Sequence, residues 1–161
     1  MVLLKTMVFT CLVPGTVTIL VPYWLLSYPS AQPPMRPGIF HYLGALPILI
    51  GVMIYFWCAW DFTFAGRGTP APIDPPKELV VRGLYLYVRN PMYVGIISIL
   101  LGEALLFASK RLFAYTAVAF IFYFLIVVFY EEPVLRRKFG ESYLEYCKHV
   151  PRWIPRRMKN L

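Results

Sequence analysis

Two short stretches of this 161-residue chain put groups able to do chemistry at helix boundaries. The first is Arg89-Asn90-Pro91-Met92-Tyr93, where a cation and an amide precede a proline suited to a first helical turn. The second is Tyr130-Glu131-Glu132, an aromatic residue followed by an acidic pair. A guanidinium orients a carboxylate by paired hydrogen bonds, and a carboxylate takes up a proton or binds a cation. Arg89 and Glu132 are therefore the first candidates for catalysis. Glu103 is the third, because it stands inside an apolar run. A carboxylate there costs about 2.5–3.5 kcal/mol to insert, so it should face protein or a polar cavity. Structural readings stand beside these: a topology charge, an interface aromatic and a solvated helix end. Acids near a helix C-terminus oppose the dipole, so nearby cations such as Arg136 and Arg137 should compensate them.

Other chemistries have little support. His41 and His149 lack metal-ligand spacing, and Cys11, Cys58 and Cys147 form neither a metal pattern nor a disulfide framework. No nucleophile with an adjacent base, no phosphate-binding loop and no GxGxxG occur, and Gly66-Arg67-Gly68 alone is a weak signal. No metal is expected.

The elements that must carry these residues are helices in a membrane. Hydrophobic residues make up 59% of the chain and charged ones only 15%, an apolar excess that one soluble core cannot hide. Four apolar segments approach spanning length: Lys5–Leu26, Ile39–Trp60, Met92–Ser109 and Leu112–Tyr130. The first is too long for a signal-peptide core and lacks a clear cleavage site, so it reads as a retained helix kinked at Pro14 and Pro22. Only Lys110 and Arg111 separate the third and fourth, which predicts a tight antiparallel hairpin. That hairpin sets Arg89–Tyr93 beside Glu131 and Glu132. Gly95, Ser98 and Gly102 share one helix face, and Gly44 and Gly51 offer a matching flat face. The proline-rich Ser27–Gly38 connection cannot be helical throughout. The connection from Asp61 to Pro91 is long enough to be functional. In the tail, Leu135, Phe139, Tyr143 and Tyr146 recur at helical spacing, predicting an amphipathic helix, broken near Gly140, with one face on the membrane.

The fold class is thus an all-α, multi-pass membrane protein with about four spans. Residues 1–161 form one membrane domain, with 5–60 as two leading helices and 61–161 as the core. The formal charge of +8 concentrates in the tail, a pattern of cytoplasmic flanks near anionic lipid, so nucleic acid is not an expected partner. With both termini cytoplasmic, thirteen basic residues lie inside, and only Arg36, Lys110 and Arg111 lie outside.

From Gly66 to Pro155 the chain resembles the membrane methyltransferases, which include isoprenylcysteine carboxyl methyltransferases and phospholipid N-methyltransferases. The resemblance rests on GRGTPAP, ELVVRGLYLYVRNPMYVG, the Tyr-Glu-Glu after the last span, and FGESYLEYCKHVPRWIP. It implies S-adenosylmethionine as cofactor and a membrane lipid or lipidated acceptor as partner. It also implies Gly83, Tyr85, Arg89, Asn90, Pro91, Tyr93, Gly95, Glu131 and Glu132 as cofactor-binding residues, with Tyr85 or Tyr93 facing the sulfonium. Gly66 and Gly68 correspond to a glycine motif of the phospholipid enzymes. Carboxyl methyltransferases typically carry His where this chain has Asn90, which sets it nearer the phospholipid enzymes. A carboxylate acceptor needs an orienting cation, whereas an amine must lose a proton to a base such as Glu132 or Glu103. Two other classes stay open at this point: an NADPH-dependent reductase of the membrane sterol type, and a small transporter or assembly subunit marked by Glu103.

Overall fold

The computed structural model describes residues 2–28, 38–64 and 79–155. The GRGTPAP stretch, with Gly66 and Gly68, lies outside the described residues. Among the described residues every regular element is helical. Three helical stretches are long and apolar enough to cross a membrane: Thr6–Ser27, His41–Phe64 and Lys110–Phe139. The third expected span is shorter, a 16-residue apolar helix over Pro91–Leu106.

The first stretch is broken, as its prolines predict. Helix α1 covers Val2–Leu12, a π turn covers Thr16–Leu20, and α2 covers Val21–Ser27 with Pro22 in its first turn. Carbonyls loosened by the break find hydroxyl donors. Thr18 Oγ1 donates to the Pro14 carbonyl at 2.8 Å, and Tyr115 Oη donates to that of Val17 at 3.0 Å. Thr10 and Tyr55 join their hydroxyls at 2.9 Å, tying this stretch to the next.

Helix α3 (Ala45–Phe64), entered through a 3₁₀ turn at Ile39–Gly44, packs antiparallel on α4 (Pro91–Leu106) along a seam of glycines. A Cβ on Gly44 would come within 2.5 Å of the Gly102 carbonyl oxygen, and one on Gly102 within 2.6 Å of that of Gly44. Gly51 and Gly95 oppose each other in the same way, with 2.9 Å from a Cβ on Gly95 to the Gly51 carbonyl oxygen. Only glycine lets backbones approach this closely, and close approach is what binds helices where the hydrophobic effect is absent. The expected flat faces therefore meet, one on the other.

The α4–α5 hairpin forms, with α5 at Lys110–Ile126. Its turn is made by Phe107, Ala108 and Ser109, with Ala108 in the left-handed region at φ +47°. Lys110 and Arg111, expected as the connector, instead open α5. Arg111 donates to the carbonyls of Leu25 and Tyr28 at 3.0 and 2.8 Å, satisfying acceptors at the end of α2. The helix also does not stop at Tyr130. It passes through a π turn at Val127–Glu131 into α6 (Glu132–Phe139), so the acidic pair lies inside a continuous helical stretch.

Gly140, at φ +54°, separates α6 from α7 (Glu141–His149), the break the sequence predicts. The face of Leu135, Phe139, Tyr143 and Tyr146 is not laid on the membrane. Tyr143, Tyr146 and Val150 are buried together, with Leu79, Leu135, Phe139 and Cys147 packed around them. The chain before α4 covers that face, and the Tyr146 hydroxyl finds a carbonyl there. The larger core lies between α3, α4 and α5, around Tyr55, Ala59, Ile96, Leu100, Ala119 and Tyr123.

Candidate active site

Pro91 starts α4, so Arg89 and Asn90 lie just outside the helix with their backbone and side chains free for tertiary contacts. The Arg89 N–H donates to the Pro151 carbonyl at 2.8 Å, and Asn90 Nδ2 donates to the Arg152 carbonyl at 3.0 Å. These bonds lay the segment after α7 across the start of α4.

Arg89 and Tyr93 stand one helical turn apart, and each meets one member of the acidic pair. Arg89 Nη1 lies 3.1 Å from Glu132 Oε1, and the Tyr93 hydroxyl donates to Glu131 Oε1. Two adjacent acids reach partners a turn apart because they sit where the π turn passes into α6. Such single-turn widenings redirect side chains and recur at functional sites. The Tyr93 ring stacks on Tyr123 of α5, with centroids 4.7 Å apart.

Glu132 is 5% exposed, so its charge must be compensated within the protein. Arg152 provides most of that. Its Nε and Nη2 take the two carboxylate oxygens at 2.7 and 2.9 Å, a fork-on-fork pair. The bond to Glu132 pushes the Arg152 pKa above its usual value. Arg136 stands farther off, at 4.0 Å, and Arg137 donates instead to the Pro133 carbonyl. Compensation thus comes chiefly from Arg89 and Arg152 rather than from the neighbours along the helix. Arg89 Nη1 also donates to Cys147 Sγ at 3.1 Å, while its Nε is buried with no partner.

The remaining expected residues divide. Tyr85 is buried against Cys58 and Phe62, and its carbonyl accepts from the Tyr146 hydroxyl at 2.7 Å. Burial pushes its phenol well above the ordinary tyrosine range. Gly83, at φ +55°, opens the 3₁₀ turn Gly83–Leu86 that carries Tyr85. Gly95 faces α3 across the glycine seam. Glu103 is not brought to the cluster; it lies three turns along α4, about 18 Å from Pro91. Its Oε2 is buried and has no partner.

Arg152, Cys147, Tyr123 and Trp153 were not singled out from sequence. Arg152 and Cys147 are submerged in a basic tail that reads as a lipid-facing flank. Tyr123 is one of many aromatics in an apolar span. Trp153 packs near Phe120 and Phe124, with centroids 5.4 and 6.3 Å away, and its indole nitrogen is buried without a partner.

A phospholipid methyltransferase family profile matches residues 39–142, about two thirds of the chain, from the turn before α3 through α6 to the first residues of α7. The chain belongs to that family. A Protein-S-isoprenylcysteine O-methyltransferase of Schizosaccharomyces pombe is 41% identical over 80 residues, which is 48% of this chain and 33% of the relative. Protein-S-isoprenylcysteine O-methyltransferase B of Arabidopsis thaliana is 31% identical over 78 residues, 48% of this chain and 40% of the relative. The Nickel-cobalt-cadmium resistance protein NccN of Alcaligenes xylosoxydans xylosoxydans is 29% identical over 114 residues, 71% of this chain and 49% of the relative. The matches thus span a third to about half of the length of these curated relatives. No solved structure matches the chain.

Proposed function

We propose that this chain is an S-adenosylmethionine-dependent methyltransferase that modifies a lipid or lipidated acceptor at the cytoplasmic edge of the membrane. The observation that carries this reading is the buried cluster between the start of α4 and the π turn before α6. It leaves Arg89 Nε as an unpaired buried donor one turn from Tyr93 and its acid Glu131. The family match over 39–142 supplies the reaction class.

S-Adenosylmethionine, when bound, supplies a methyl group on a sulfonium cation. Arg89 Nε would hold the cofactor's carboxylate, and Glu131 its ammonium or ribose hydroxyls. The stacked Tyr93 and Tyr123 rings offer π faces to a cation. Glu132 already has both oxygens on arginines, so its part is to fix Arg89 and the tail rather than to take a proton. Positioning and charge stabilisation are most of what an in-line methyl transfer asks of a protein.

In this reading α4 counts as a fourth, short span and both termini face the cytoplasm. The cofactor then enters from water and the acceptor sideways from lipid. Two acceptor chemistries each have an observation behind them. The O-methyltransferase names of the relatives favour a carboxylate. Glu131 beside aromatic rings, with Arg89 and Arg152 engaged on Glu132, favours an amine whose proton Glu131 removes. Purified protein in nanodiscs, given labelled cofactor and either an aminophospholipid or an S-prenylcysteine, separates them by which product carries label. Saturable cofactor binding that weakens in Arg89→Ala and Glu131→Gln is expected. Absence of saturable binding would sink the proposal.

A further inference from the structure

Asp61 is a buried acid that the site above does not use. It lies near the end of α3, 2% exposed, with Oδ1 3.0 Å from Arg82 Nε and Oδ2 buried without any partner. Helix α3 otherwise contributes packing and nothing to the cluster. A carboxylate buried this far is costly unless it organises something. What it organises is visible at Gly83. A Cβ there would fall 2.5 Å from Asp61 Oδ2 and 2.9 Å from the Trp57 indole nitrogen, and φ at Gly83 is +55°. The turn therefore closes directly onto the carboxylate, in a backbone conformation that favours glycine.

We infer that Asp61 is a positioning residue that sets Arg89, acting through Arg82, Gly83 and the turn between them. This rests on the methyltransferase reading only for what Arg89 then holds. The path is short and continuous. Arg82 and Gly83 dock on α3, and the Arg82 carbonyl accepts from the Tyr85 amide at 3.0 Å. The Leu84 carbonyl accepts from the Tyr87 and Val88 amides at 3.0 and 3.2 Å. Val88 is buried, and Arg89 follows with its amide on Pro151. Tyr85, buried against Cys58 of α3 and bonded by Tyr146, clamps the same turn from both sides. Asp61 thereby joins the glycine-seamed helix pair to Arg89, the residue that bridges Glu132 and the tail.

The test uses the full chain in nanodiscs, with S-adenosylhomocysteine as the probe in titration calorimetry and amide exchange as the second readout. Asp61→Asn keeps the shape and removes the charge. It should weaken probe binding about tenfold, the scale of one charge-assisted hydrogen bond. The amides of Tyr85, Tyr87, Val88 and Arg89 should exchange faster, while those of the α3–α4 seam keep their rates. Wild-type binding and wild-type exchange in this turn overturn the inference. So does exchange that rises equally in the seam, since Asp61 would then be a general stability residue. If the wild-type chain binds no S-adenosylhomocysteine, the methyltransferase reading fails, and exchange in the turn alone decides the role of Asp61. A second pair tests the contact itself. Gly83→Ala should weaken the turn, and Asp61→Ala with Gly83→Ala should lose less than the product of the two single effects, because the shortened side chain makes room for the methyl group. Strictly multiplicative effects overturn the contact.

Discussion

At the scale of residues, the acid pair has a division of labour. Glu132 neutralises two guanidiniums and Glu131 holds one phenol, so the same Glu→Gln change has different consequences at the two positions. Glu132→Gln leaves Arg89 and Arg152 without their counterion in a buried place. It should lower stability by about 3–5 kcal/mol, the cost of breaking a buried ion pair. Glu131→Gln loses about one ordinary hydrogen bond, near 1 kcal/mol, but should reduce methyl transfer about a hundredfold or more. Thermal unfolding and initial rates on both variants check the contrast; equal stability losses would refute it. Tyrosines give a pH prediction. Burial pushes Tyr85 and Tyr146 above the ordinary value of 10.0. A raised folded pKa means stability that is fully present below the unfolded value and lost as pH climbs beyond it. In an alkaline titration followed by phenolate absorbance, these two should ionise only above the ordinary tyrosine value and together with unfolding.

At the scale of elements, the glycine seam determines how α3 and α4 meet, and so where the start of α4 stands relative to Asp61. Gly102→Ala puts a methyl group against the Gly44 carbonyl, where backbone rather than a flexible side chain must yield. The helices should separate at a cost of about 1–3 kcal/mol, the usual range for overpacking. Melting in detergent measures it, and an unchanged midpoint would show that the seam has slack. The π turn is the second device at this scale. The apolar run Leu112–Tyr130 says that a helix crosses there, but nothing in its composition marks an extra residue per turn. Composition also sets the helix end at Tyr130, because two acids ordinarily close an apolar span. The helix continues because Arg89 and Arg152, distant in sequence, take up the charge of Glu132.

At the scale of the whole molecule, the chain folds its last described segment back over its middle. The tail reaches the start of α4 through the backbone carbonyls of Pro151 and Arg152, reaches Glu132 of α6 through the Arg152 side chain, and packs the Trp153 ring near Phe120 and Phe124 of α5. In the proposed topology the tail and the start of α4 lie on one side of the membrane, opposite the Phe107–Ser109 turn. An impermeant maleimide should label Lys148→Cys from the side that carries the site and Lys110→Cys from the other, in vesicles of defined orientation and a background lacking the native cysteines. Labelling of both from one side would remove the proposed topology.

Periodic and compositional features were legible without coordinates: the apolar spans, the hairpin, the small-residue faces and the break at Gly140. So was the meeting of Arg89 and Tyr93 with Glu131 and Glu132, because a short hairpin forces two helix ends to one level. Each of these follows from the spacing of residues along one or two adjacent helices. Arg152, Asp61 and the inward face of Tyr143 and Tyr146 were not legible. Arg152 meets Glu132, Asp61 meets Arg82 and Tyr146 meets Tyr85, each 20 or more residues away along the chain, and a lone basic, acidic or aromatic residue looks alike whether lipid, water or protein faces it. Tertiary packing decided which charges are buried, and burial separates Glu132, closed in by two arginines, from Glu131, which stays partly exposed beside Tyr93.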